Sequence, residues 1–301
     1  MSDRITPAMV TSSTLTDINS SLEALERTTD EMSSGRTILE PSDNPYGASQ
    51  VIDLQSQLAG LSDYESDAQS GIAWENTASA AMSSMNEVVQ RVRELLLEAA
   101  NGTNSQNDRE IIAEQVEQLT ESVKQDANAQ YAGEYVFAGT ASTEPPYEQG
   151  ANDEYKGNTE TVSRAVGPSA TIDISTDIAS LLGSGEDGKL LDTLRTIAKD
   201  LRGGTVEDVQ ALSSTDLEAL DANIATLTKL QAAAGSATDQ LQSALSRNED
   251  LQTSIAAALS STDDTNMAAA SIAYANEQAA YDAALRAGAT IVQESLLNFL
   301  Q

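Results

Sequence analysis

Cysteine and histidine are both absent from the 301 residues of this chain. Without thiolate or imidazole there is no disulfide, no zinc site of the usual nitrogen–sulfur kind, no histidine acid–base chemistry and no Ser-His-Asp triad. Aromatic residues make up only 4%, too few for a thick aromatic core. Positive charge is scarce as well: 16 Lys and Arg stand against 47 Asp and Glu, a formal net charge of -31. A nucleic-acid binder neutralises phosphates with Lys and Arg, so this chain repels them. Anionic membrane is disfavoured for the same reason. No apolar run is long enough to span a bilayer. The start, Met1-Ser2-Asp3-Arg4-Ile5-Thr6-Pro7, has no apolar h-region and no small-residue cleavage site. It reads as cytoplasmic, or as export by a route that needs no cleaved signal.

What is present points to helices. Apolar residues are 40%, with alanine and leucine prominent, a mix that favours long helices packed through small side chains. From Thr11 to Ser34, Leu15, Ile18, Leu22, Leu25, Thr29 and Met32 follow alternating three and four spacing, the seam of a coiled coil. Gly35 stops that helix. Pro41 and Pro45 pin an extended connector, with Asn44 as N-cap and Pro45 at the first helical position of the next helix.

That second helix runs from about Pro45 to Ala100. Its stripe passes through Leu54, Leu58, Leu61 and Tyr64 to Ala78, Met82, Met85, Val89, Val92, Leu96 and Ala99. Unbroken, it would reach about 80 Å at the helical rise per residue. Asp108 is the expected cap of a third helix. The middle is different in kind. Tyr135-Val136-Phe137 reads as a short strand, and 161–166 with 171–174 read as a hairpin around Gly167-Pro168. Helical spacing resumes at Leu190 and stops at Gly203-Gly204. Thr215 and Glu218 read as a capping box. A three/four seam then continues from Leu217 to Leu259, and Ser260 to Asp264 interrupts it. A last helix carries Tyr281, Leu285, Ala289, Val292, Leu296 and Phe299 on one face.

The expected fold is therefore mainly α: a long antiparallel helical rod with a small β-containing insertion. Its parts are 1–44 as terminal helix and connector, 45–135 as first rod segment and 136–189 as insertion. The second rod segment is 190–262, and 263–301 is the C-terminal helix. A terminal helix of this length is marginal alone and needs a partner. The two ends either pair with each other or pack on neighbouring subunits.

Met32-Ser33-Ser34-Gly35-Arg36-Thr37-Ile38-Leu39-Glu40-Pro41-Ser42-Asp43-Asn44-Pro45 resembles the segment after the first helix of flagellin-superfamily proteins. Its Pro-Ser-Asp-Asn-Pro run is similar to that of the FlgL family of hook–filament junction proteins. Four further stretches agree in order: Gln90 to Leu95 with Ala99 to Thr103, Gly133 to Thr140, Pro145-Pro146-Tyr147 with Tyr155 to Asn158, and Glu294 to Leu300. The resemblance implies a structural subunit, not an enzyme, with helical layers like the D0 and D1 domains of flagellin. It implies export without a cleaved signal, and terminal helices that pack between subunits. It implies a ring of copies between a FlgK-type junction protein and the first flagellin, and an export chaperone of the FlgN type. The alternative is a flagellin-type filament subunit. The assembly interface would then lie on Leu15, Ile18, Leu22 and Leu25 of the first helix and Tyr281, Leu285, Val292, Leu296 and Phe299 of the last, with Gly35, Pro41 and Pro45 in the connector.

No cofactor or metal site is expected. Gly183-Ser184-Gly185-Glu186-Asp187-Gly188-Lys189 matches G-x-G-x-x-G and the first part of a P-loop. Leu190 stands where a Ser or Thr would hold magnesium, and Glu186 and Asp187 would repel phosphate. A turn into a helix is the plainer reading. Trp74, Met82 and Met85 read as packing residues.

Overall fold

The structure is a computed structural model that describes residues 7–101 and 104–299, with side chains described for 9–101 and 104–290. It divides into two compact units: unit 1 is 1–60 with 251–301, and unit 2 is 61–250. The chain is mainly helical: α1 (Pro7–Ser34), α2 (Pro45–Ala99), α3 (Gln106–Ala127), α4 (Ala179–Leu182), α5 (Leu190–Gly203), α6 (Val206–Leu212), α7 (Thr215–Asp263) and α8 (Met267–Phe299). Two small antiparallel sheets interrupt them, β1 (Gln130–Tyr131) with β2 (Glu134–Tyr135), and β3 (Ser163–Gly167) with β4 (Ala170–Asp173). The expected strand at 135–137 is shorter than the sequence pattern implied. Val136 and Phe137 turn inward and are buried instead.

In unit 1, α1 packs against α8. Thr28 bonds Glu277, and Ile18 lies against Gly288, so the pair is antiparallel. The start of α2 follows the expected cap, with the Gly47 amide donating to Asn44 Oδ1 at 3.0 Å. Ile38, Ala48 and Val51 form a small buried cluster with Leu259.

In unit 2 the seam of α7 is visible as a strict seven-residue repeat. Leu220, Leu227, Ala234, Leu241 and Asn248 are all buried, and the intervening seam positions are half-buried. The helix faces α2 antiparallel, with Gly71 against Leu241 and Arg93 paired to Asp221. Gly71 lets them approach: a Cβ there would lie 3.1 Å from Leu241 Cδ1. The polar member of the repeat, Asn248, is satisfied by the Val166 carbonyl of β3 at 3.3 Å. Trp74 is buried edge-on to Tyr131, with the Arg164 guanidinium over its ring at 6.0 Å.

Two caps differ from the sequence expectation. Ser105, not Asp108, caps α3, and Asp108 is the return half of a capping box. Helix α7 already begins at Thr215, so Thr215 is a first-turn residue. The second capping box belongs to α6, between Thr205 and Asp208. That helix is a single short amphipathic segment that the three/four pattern did not reveal.

The insertion is held to α3 and α5 by charge. Lys124 of α3 is fully buried. Its Nζ donates to the carbonyls of Glu148, Gly150 and Asn152 at 3.2, 2.6 and 2.8 Å and pairs with Asp153 Oδ1 at 2.5 Å. Arg195 of α5 closes the cluster by bonding Asp153, Glu121 and the Gly150 carbonyl. Burial raises the Asp153 carboxyl, but Arg195 and Lys124 outweigh it and hold the group below the ordinary carboxylate range. Tyr147, behind the two prolines, is buried and donates to the Gly183 carbonyl at 2.8 Å.

Two predictions follow from these buried charges. Lys124→Met leaves three carbonyls and a carboxylate without their ammonium, and should destabilise unit 2 by about 3–5 kcal/mol at neutral pH. Because the folded-state pKa of Asp153 is depressed, this stabilisation is complete above the ordinary carboxylate range and is lost as pH falls below it, through the depressed folded-state value. Urea unfolding of the two proteins from pH 7 downwards checks both points. Glu75 has the opposite sign. It is buried with Oε2 unbonded, and burial pushes it up to about 7 from an ordinary 4.5. Its contribution to stability is complete below the ordinary value and lost as pH rises through about 7. Glu75→Gln should therefore gain up to about 3 kcal/mol over the parent at pH 8 and nothing at pH 4.

Candidate assembly interface

The site predicted from sequence lies on the paired helices of unit 1. Among its members, Ile18, Leu22, Leu25 and Tyr281 are half-buried. Leu15 and Leu285 are 57% and 42% exposed. Met9 and Ile272 are also outward, 61% and 65% exposed. Each helix thus has two apolar aspects, one closed against its partner and one facing out. The structure therefore divides a single predicted interface into a pairing face and an open face. Val292, Leu296 and Phe299 belong to α8 but lie outside the residues whose side chains are described.

The pairing face is built on small and polar contacts. Ile18 fits a notch at Gly288, where a Cβ would lie 2.9 Å from Ile18 Cδ1 and 3.3 Å from Thr14 Cγ2. Glycine within a helix costs about 1 kcal/mol relative to alanine, and here it admits the branched side chain of the facing helix. Thr28 is buried in place of the predicted seam residue Thr29, which is exposed. Its hydroxyl bonds both the Ala24 carbonyl and Glu277. Sequence reading missed Thr28, Glu277 and Gly288, although an isolated glycine in a helical pattern is itself a signal of close approach.

Gly35 adopts φ +72°, a conformation that glycine reaches without strain. Pro41 and Pro45 are exposed. One ion pair ties the connector to α1, Arg27 with Asp43, and Arg27 also pairs with Glu31 within the helix.

The phosphate-loop match is resolved by the positions of its own carboxylates. Asp187 accepts from the amides of Ser184 and Lys189 at 2.8 and 3.1 Å, and Asp192 accepts from the amide of Gly188 at 2.7 Å. Lys189 Nζ is turned to the Ala179 carbonyl. The amides and the lysine that would cradle a phosphate are already occupied, so the segment is a turn that starts α5. Among the described residues no cluster of acidic side chains has the arrangement of a metal site, and no helix is long and apolar enough to cross a membrane.

Residues 5–142 match the family described as the bacterial flagellin N-terminal helical region. Over 230 residues the chain is 25% identical to flagellar hook-associated protein 3 of Salmonella typhimurium, covering 71% of this chain and 72% of that protein. Over 106 residues it is 34% identical to polar flagellin F of Vibrio parahaemolyticus, covering 35% of this chain and 28% of that flagellin. The fold is similar to that of a putative flagellar hook-associated protein from Vibrio parahaemolyticus, with TM-score 0.67 at 17% identity over 74% of this chain and all of that one. The chain is thus similar to flagellin-like structural proteins of the flagellum. Of the two sequence relatives, the hook-associated protein is matched over the greater length, and the chain spans about a quarter of the flagellin.

Proposed function

We propose that the chain is the junction subunit that adapts a FlgK-type ring to the first flagellin layer. Copies of it form a ring, and the paired terminal helices pack against those of neighbouring copies. The observation that carries this reading is the open face of α1 and α8, where Leu15 and Leu285 remain outside although the two helices are already paired. Apolar side chains in that position gain stability only when a further surface covers them. The breadth of the match supports a junction subunit over a filament subunit, since 72% of the hook-associated relative is covered and only 28% of the flagellin. The insertion at 136–189 is placed outermost in this reading. Export proceeds without a cleaved signal, with a FlgN-type chaperone on the C-terminal helix.

Immunogold electron microscopy on flagella of the source cell tests it. A band confined to the hook–filament boundary is the expected outcome, and label along the whole filament would make the chain a flagellin. A second test uses Leu15→Asp with Leu285→Asp. Both side chains are exposed in the single chain, so its melting temperature should change by no more than about 2–4 °C, the shift expected for 1 kcal/mol in a large domain. Incorporation at the junction should be lost. Normal incorporation of that variant would remove the open face from the mechanism.

A further inference from the structure

Two helix breaks face each other in unit 1: residues 35–38 after α1, and residues 263–265 before α8. The Thr37 amide donates to the Asp263 carbonyl at 2.5 Å, and the Thr265 amide donates to the Gly35 carbonyl at 2.9 Å. Arg36 and Asp264 form an antiparallel bridge between them. The residue Asp263 is only 4% exposed. Its Oδ1 accepts the Ile38 amide at 3.3 Å, and its Oδ2 accepts Arg36 Nε at 2.5 Å. Ile38 is buried in the cluster with Ala48, Val51 and Leu259, which anchors the connector side of the contact.

Within the pair, the Ile18–Gly288 notch and the Thr28–Glu277 bond mark one alignment. Of the alanines of α8 whose side chains are described, only those at 270, 273 and 284 are buried or half-buried, and Tyr274, Glu277 and Tyr281 share that covered side. A slip of α1 along α8 by one turn is a shift of about 5.4 Å. What changes is the notch. A slip of one turn sets Ile18 opposite Ala284, which has the Cβ that Gly288 lacks. It also parts Thr28 from Glu277.

We propose that Arg36 and Asp263 are positioning residues for assembly: they clamp the two helix breaks together and so fix the register of α1 on α8. The clamp works at one end of the pair, and the Ile18–Gly288 notch reports the same alignment from within it. Register decides which apolar side chains stay outside. With the clamp closed, Leu15 and Leu285 occupy the open face, and a slipped pair would offer a different surface to a neighbouring copy. The last step rests on the assembly reading above, whereas the clamp itself belongs to the single chain.

The test uses the absence of native cysteine. Spin labels on Glu23→Cys and Asp282→Cys, two exposed positions on α1 and α8, report the register of the full-length chain by pulsed electron resonance. A single narrow distance is expected in the parent. Asp263→Asn should broaden it or shift it by one turn, about 5 Å. An unchanged distribution in that variant overturns the clamp. Thr37→Cys with Thr265→Cys, whose parent hydroxyls lie 3.4 Å apart, supplies a covalent substitute. In the Asp263→Asn background the oxidised pair should restore incorporation into flagella, and reduction should abolish it again. Failure of the oxidised form to restore incorporation also overturns the proposal. If the parent is found on no flagellum, the assembly reading falls, and the label distances still decide the clamp.

Discussion

Neither α1 nor α8 can bury its apolar stripe with sequence neighbours. Thr28 meets Glu277 across 249 positions of chain, and every contact between the two helices has a comparable separation. A single amphipathic helix of this kind is marginal in water, so the folding of unit 1 depends on one event, the meeting of the two ends. Unit 2 is different. It is one continuous stretch, 61–250; its hairpins are local, and the contacts of α2 with α7, such as Arg93–Asp221 across 128 positions, still span less chain than those of α1 with α8. Local contacts form early and distant ones late, which makes unit 2 the part able to fold first and unit 1 the part that waits. The connector, its prolines and the bonds between 35–38 and 263–265 all serve that late contact.

Much of this was legible in the sequence because the signals are periodic. The three/four spacing of α7 became a strict repeat of buried residues from Leu220 to Asn248. Asn44 and Pro45 announced the start of α2, and Gly35 and Gly204 the ends of α1 and α5, since these residues satisfy a backbone requirement that does not depend on the rest of the fold. What stayed hidden depends on tertiary contacts. Nothing local distinguishes Lys124 from a solvated lysine, yet three carbonyls of a loop some 25 residues away enclose it. The terminal site was half legible. Periodicity marked Leu15, Ile18, Leu22 and Leu25 as one stripe, but a stripe has width, and only the placement of α8 shows that Ile18 closes inward while Leu15 looks out. Thr28 was passed over for Thr29 because the seam drifts round the helix by a residue once a real partner is present.

The buried ionisable groups of unit 2 oppose one another. Asp153 is held charged by Lys124 and Arg195 and resists acid only while they stay paired. Glu75 is disfavoured as a charge, and so is Asp216, which burial and the nearby Asp200 push up to about 6. Acid weakens the first and relieves the others. The two trends occupy different ranges: Glu75 and Asp216 both withdraw stability as pH rises through about 6 to 7, and Asp153 does so only in acid, below the ordinary carboxylate range.

Among the described residues, half of the chain's 16 cations are paired with carboxylates inside it. Arg27, Arg36, Arg93, Lys124, Arg195 and Arg202 are each bonded to carboxylates of the same molecule. Residues 45–90 of α2 contain six acidic side chains and no lysine or arginine at all. Any two copies brought together must therefore press one anionic field into another. At about 0.1 M salt such fields are screened beyond about 10 Å, and in fresh water they reach several times further. The same charge that keeps single chains apart thus sets an ionic threshold for their association, and the composition of the surrounding water becomes part of the structure's working conditions.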